Sequence, residues 1–128
     1  MDTTQFVNAI RESVLEEYTE YYRTTLNERS AHSVNDLYWK ELIGLYQTLD
    51  ERQRRIIHAL VRQVSADTIS SLFGIIDGSS TLVPKSGWSF QLISQPDGVR
   101  LDGDLQDIFL SQMECVIIGD GNCLDFTH

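Results

Sequence analysis

"DERQRRIIHALVRQVSADTISSLFGIIDG", residues 50 to 78, decides how this chain folds. Ile57, Leu60, Val61, Val64, Ile69, Leu72, Phe73, Ile75 and Ile76 return at steps of three and four, the period of one helical face. Asp50 can cap the first turn, and Gln53, three residues on, can reach back to the cap's N–H in a capping box. Gly78 offers a left-handed stop at the other end. A helix over 51–77 would be about 40 Å long at 1.5 Å per residue, with Ser65 and Gly74 as places for a kink. Within it stands Asp67, a carboxylate among apolar neighbours. A buried charge without partners is too costly to persist, and Gln63, Ser70 and Ser71 offer only neutral hydrogen bonds. The expectation is therefore a structural Asp67, met by Arg100 and the indole N–H of Trp88 from the following segment, with Gly74 permitting their close approach.

Two helices are predicted before this one. Val7, Ile10, Val14, Tyr18 and Tyr21 form the apolar row of a long first helix that fades near "NERSAHS". Ser33 then precedes a second helix whose stripe is Val34, Leu37, Tyr38, Leu42, Leu45 and Leu49. A further row on that helix, Trp39, Ile43 and Tyr46, is more apolar surface than one buried face needs. These three are the expected interface of a homo-oligomer. Tyr22, Trp39 and Tyr46 are left over after core periodicity is satisfied, as aromatic side chains at protein interfaces often are.

Beyond residue 73 the composition changes, with both prolines and seven of the eight glycines. "GWSFQLISQPDGVRL" alternates Trp88, Phe90 and Leu92 against Ser89 and Gln91, and reaches a Pro96-Asp97-Gly98 turn, the pattern of a β-hairpin over 88–101. "GDLQDIFLSQME" predicts a short last helix capped by Asp104, and "CVIIG" is an apolar run that suits a final strand or a helix end equally. The expected class is α+β, predominantly helical: a three-helix layer carrying a hairpin and a short C-terminal helix, in a single domain over 1–128.

The net charge of -9 and pI near 4.6 disfavour a nucleic-acid partner. Through Arg62 there are eight basic against ten acidic residues, and beyond it two against nine. That asymmetry favours a basic protein partner. The apolar runs are too short for a membrane span, and a signal peptide is absent from the N-terminal stretch, so a cytoplasmic location is expected. Cys115 and Cys123 lack metal-site spacing and read as free thiols.

Chemistry is weakly signalled. Asp102, Asp104 and Asp107 in "DGDLQD", and Asp120, Asn122 and Asp125 in "DGNCLD", repeat an alternation that calcium loops use. The sixth-position glycine and twelfth-position glutamate of an EF-hand are missing from both, so turn and cap use is preferred, and neither metal nor cofactor is expected. Arg55, His58 and Arg62, with Arg52 and Arg54, form a basic patch, and Glu51 stands four residues before Arg55 to pair it. His32, His58 and His128 have no paired-ligand spacing, and the apolar setting of Cys115 suits an inert thiol.

"RQVSADTISSLFGIIDG" (62–78) with the downstream "GDLQDIFL" (103–110) resembles a group of small bacterial proteins without an assigned activity. The resemblance covers roughly residues 45–110 and implies a small, mainly helical, bacterial-type domain. The leading expectation is a non-enzymatic protein-interaction module. The alternatives are an immunity-type protein that neutralises a basic toxin, and a metal-assisted hydrolase built on Asp67, Asp77 and Asp102/Asp104/Asp107.

Overall fold

A computed structural model describes residues 1–82 and 87–113, together with the backbone of 116–117 and 123–124. α1 (Thr3–Ile10) runs through a π-helical stretch (Arg11–Glu16) into α2 (Glu17–Glu28) with helical backbone throughout. A 3-10 turn (Ala31–Ser33), α3 (Leu37–Gln47), α4 (Glu51–Asp77) and α5 (Leu105–Ser111) follow.

Two helix starts share one device. The Asp50 carboxylate accepts the Gln53 N–H at 2.8 Å and the Gln53 side chain accepts the Asp50 N–H at 2.9 Å, the box expected from sequence. Asp2 and Gln5 repeat it at the start of α1. α4 then runs unbroken to Gly78, whose φ of 85° closes it in the left-handed region. At α3 the cap is Asp36, which accepts from the Trp39 N–H at 3.0 Å, and not Ser33, which lies in the 3-10 turn bonding back to the Ser30 carbonyl.

The chain is predominantly helical and the α+β class is not supported. The expected hairpin over 88–101 does not form strands. Ile93 and Arg100 make one isolated bridge, flanked by bonds from Leu101 N to Leu92 O and from Ser94 N to Val99 O. The ladder stops because its next groups are taken: the Leu92 N–H donates to Asp102 Oδ1 at 2.9 Å, and the Leu101 carbonyl accepts from the Thr3 hydroxyl at 3.1 Å. Trp88, Phe90, Ile93 and Val99 are exposed while Leu92 and Leu101 turn to the core, an inner face too short to fix a ladder. A two-residue antiparallel pairing joins Val116–Ile117 to Cys123–Leu124. It does not change the class. The side chains of Cys115 and Cys123, the "DGNCLD" carboxylates and His128 lie outside the described residues.

Two apolar clusters hold the helices. The larger takes Val7, Leu15, Ala66, Phe73, Leu105, Phe109 and Met113 from α1, the π stretch, α4, α5 and the residues after it. Phe109 sits edge-on to Phe73, ring centres 5.7 Å apart. The smaller joins Leu26 to Ile43 and Tyr46, with Trp39 and Leu42 half-buried against them. The π stretch decides which residues of the first rod enter either cluster. Its wider turn inserts one residue, so the expected row advances by one: Leu15 is buried where Val14 was expected, and Tyr22 turns inward while Tyr18 and Tyr21 are 58% and 55% exposed.

Candidate functional site: the aromatic and acidic face of α2 and α3

α3 presents the opposite face to the one its longer apolar stripe suggests. Ile43 and Tyr46 are buried and Trp39 is half-buried, so the row expected at an oligomer interface is an internal seam. Leu37, Tyr38 and Leu45, expected inside, are 72%, 67% and 61% exposed. The Trp39 row wins because it is met by Tyr22 and Leu26. Tyr22 stacks on Trp39 with ring centres 5.5 Å apart, and Tyr21 and Tyr38 stand edge-on to the same indole.

Behind this ring cluster lies a polar knot. The Tyr46 hydroxyl donates to Asn27 Oδ1 and shares a 2.7 Å hydrogen bond with His58 Nε2. The Arg54 guanidinium covers the Tyr46 ring at 4.7 Å and donates to the Tyr46 carbonyl. Burial pushes His58 below its ordinary value, Arg23 adds to that and Glu20 opposes it, while burial raises the Tyr46 phenol. Every group here serves a neighbour, which is the arrangement of a clamp between α2, α3 and α4.

The expected basic patch is dispersed into such pairings. Arg55 bonds Glu51 at 3.0 Å, and Arg62 reaches across to Glu16 on the π stretch at 2.9 Å. Arg54 is occupied as described.

The carboxylates singled out from sequence take different posts. Asp67 is exposed, so the premise of a buried charge fails, and Arg100 bonds Asp102 instead. Trp88 is 78% exposed beside Ile75, Ser80 and Phe90. The tie from this long helix to the following segment is made one helical end away. Asp77 accepts the Gly103 N–H at 2.7 Å and the Gln106 N–H at 2.8 Å, capping α5 from α4. Asp104 occupies the N-cap position without a side-chain cap bond. Gln106 donates to Ser70 at 3.2 Å and accepts from Ser79 at 2.9 Å. It passes so close to Gly74 that a Cβ there would lie 2.9 Å from its amide. Gly74 does permit a close approach, by Gln106 and Ser80 and not by Trp88 or Arg100.

Asp102 has a side chain only 3% exposed. Arg100 first, and then the Leu92 N–H, hold its carboxyl down to about 2. Its oxygens and those of Asp77 are thus committed to N–H donors, and Asp104 and Asp107 point to solvent. Among the described residues no three His, Cys, Asp or Glu side chains converge on a metal position. The hydrolase arrangement of Asp67, Asp77 and Asp102/Asp104/Asp107 is not assembled. Nor is any helix among the described residues long and apolar enough to cross a membrane.

What the surface does offer is a groove along α2. One part, about 580 Å³, is lined by Glu17, Glu20, Tyr21, Thr24, Thr25, Glu28 and Arg29. A second cavity of about 370 Å³ shares Tyr21, Thr25 and Arg29 with it and reaches Asp36 and Trp39. Carboxylates and aromatic side chains thus line two adjoining cavities, with Arg29 where they meet. Sequence reasoning named Trp39 but missed Tyr21 and the glutamates, although Glu17, Glu20, Thr24 and Glu28 stand three and four apart in the sequence. No family model, curated protein or solved structure matches the chain.

Proposed function

We propose that this chain is a protein-binding module that takes a basic segment of a partner protein into the groove of α2 and α3. The observation that carries the reading is that two adjoining cavities share Tyr21, with Glu17 and Glu28 lining one and Asp36 and Trp39 the other. Carboxylates supply long-range attraction for lysine and arginine. A guanidinium laid on Tyr21 or Trp39 adds cation–π attraction at the point of contact. The net charge of -9 acts in the same direction. An immunity-type role against a basic toxin would be one form of this activity.

Fluorescence anisotropy tests it with an arginine-rich and a glutamate-rich peptide of equal length. The arginine-rich peptide is expected to bind with a micromolar Kd that weakens with salt, and Tyr21→Ala combined with Glu28→Lys to lower affinity at least about tenfold. Equal binding of both peptides, or an unaffected double variant, would rule the groove out.

A further inference from the structure

We infer that the basic segment taken by α2 and α3 carries an acidic side chain between its basic residues, and that Arg29 selects it. The inference rests on the protein-binding reading and narrows the partner it names. Tyr21, Thr25 and Arg29 line both cavities. They stand four apart in the sequence, so they form one row along α2. Glu17 and Glu28 line only the first cavity, and Asp36 and Trp39 only the second. The row therefore divides the two, and a segment that fills both must cross it.

Arg29 differs from the other arginines near it. Arg23 pairs with Glu20, Arg55 with Glu51 and Arg62 with Glu16. Arg29 is exposed at the end of α2, and its backbone N–H bonds the Thr25 carbonyl. Among the described residues its guanidinium has neither a hydrogen bond nor an ion pair, although Glu28 precedes it and Asp36 lines the same cavity. The carboxylates divide in the same manner. Glu20 is taken by Arg23 and Thr24, and one Asp36 oxygen accepts the Trp39 N–H. Among the described residues this leaves Glu17, Glu28 and the second Asp36 oxygen to receive cations, and Arg29 to receive an anion.

A wholly basic segment would be drawn to Glu17, Glu28 and Asp36 and would then press a like charge on Arg29 at the crossing, which lowers affinity. One carboxylate at that point replaces the repulsion with a charge-assisted pair, which the planar guanidinium makes through two N–H groups. The carboxylate belongs to a side chain and not to a chain end, because the segment continues past Arg29 towards Asp36 and Trp39. A helix with its side chains is about 10 Å across, a width that an extended chain covers in about three residues. The acidic residue and its basic neighbours thus fall within one short stretch, in the order basic, acidic, basic. That order mirrors the Glu28, Arg29 and Asp36 charges it meets.

Fluorescence anisotropy of the full chain at about 150 mM salt tests this with two end-capped peptides of equal length, arginine throughout except for a central glutamate or a central glutamine. The glutamate peptide is expected to bind the parent at least about threefold more tightly, although the net charge of -9 favours the more basic peptide. Arg29→Ala should reverse the order, because the excess negative charge then acts alone. Circular dichroism checks that the variant folds, and Arg29→Gln, which keeps most of the side chain's length, serves if Arg29→Ala does not. A glutamate peptide that binds the parent no more tightly than the glutamine peptide, or a preference that survives the loss of Arg29, would overturn the inference and leave the protein-binding reading standing. Binding of neither peptide would remove both.

Discussion

The two ends of the molecule solve the same packing problem with different means. At the end where α1, α4 and α5 meet, seven buried apolar residues form one cluster, and the polar groups around it, Asp77, Gln106 and Ser70, bond across helices. At the end where α2 and α3 meet, three buried residues suffice, and the rest of the contact is ring on ring and the Tyr46–His58–Asn27 knot. The first end gains most from area removed from water. The second depends more on geometry, and its outer surface keeps Leu37, Tyr38 and Leu45 in contact with solvent. A region with a small core and much exposed apolar surface is the one that can accept a partner without rearranging the fold.

The largest expected effect lies in the first end. Phe109 is fully buried against Phe73, and Phe109→Ala should cost about 3–5 kcal/mol, read as a drop in the midpoint of urea unfolding for the whole chain. Ile43→Ala, at the same burial in the smaller cluster, should cost about 2–4 kcal/mol. Hydrogen exchange should locate that loss in α2 and α3 and leave α5 protected. If Ile43→Ala exposes the α5 amides as fully as Phe109→Ala does, the two ends unfold as one unit and the contrast between them is only geometric.

A smaller effect separates Asp77 from Asp104. Asp77→Asn leaves one acceptor oxygen and sets an amide NH2 against the other N–H, so one charge-assisted bond to the start of α5 is lost and the other weakened, which should cost about 1–3 kcal/mol. Asp104→Asn, which loses no side-chain cap bond, should change stability by less than about 0.5 kcal/mol. Equal losses would mean that Asp104 caps α5 in solution.

Acid should open the two ends at different pH. His58 titrates below its ordinary 6.5 in the fold because burial favours the neutral ring. The unfolded chain therefore binds the proton more readily, and stabilisation present above pH 6.5 is lost as pH falls below that value. Asp102 titrates at about 2 in the fold against an ordinary 3.8. Its contribution is complete above pH 3.8 and is lost as pH falls through about 2. Near-ultraviolet dichroism of the Tyr–Trp cluster should thus change before the Leu92 N–H, held by Asp102, begins to exchange freely. His58→Gln should remove the first change and Asp102→Asn the second. A single transition in the parent would contradict the separation.

The sequence disclosed the first end better than the second, for reasons that individual residues make plain. Asp50, Gln53 and Gly78 act within four residues of their targets, so the bounds of α4 could be read directly. The Asp2–Gln5 box has the same spacing and was equally open to reading. The face of the first rod was not, because a π turn at 11–16 leaves no mark in composition and shifts every later residue by one position. On α3, two apolar rows compete, and only the arrival of Tyr22 and Leu26 decides between them. Asp77 escaped notice as a cap because its targets, Gly103 and Gln106, lie 26 and 29 residues away. The hairpin failed for a similar reason, since Asp102 and Thr3 claim the groups that a ladder would have used.

The smallest expected effect is at Asp67, and it bears on the whole comparison. The apolar neighbours of Asp67 in sequence suggest a buried charge, and Asp67→Asn would then cost about 1–3 kcal/mol. In the fold those neighbours divide between two sides of α4: Ala66 and Ser70 are buried, whereas Val64, Thr68 and Leu72 are exposed with Asp67 itself. A carboxylate in water on an apolar surface loses no partner on amidation, so thermal melting at about 5 µM should place Asp67→Asn within about 0.5 kcal/mol of the parent. The charge there, with exposed Thr68 and Ser71 beside it, keeps the outer face of α4 compatible with water. A destabilisation above about 1 kcal/mol would mean that Asp67 has a partner in solution and that the outer face of α4 is covered within the folded chain.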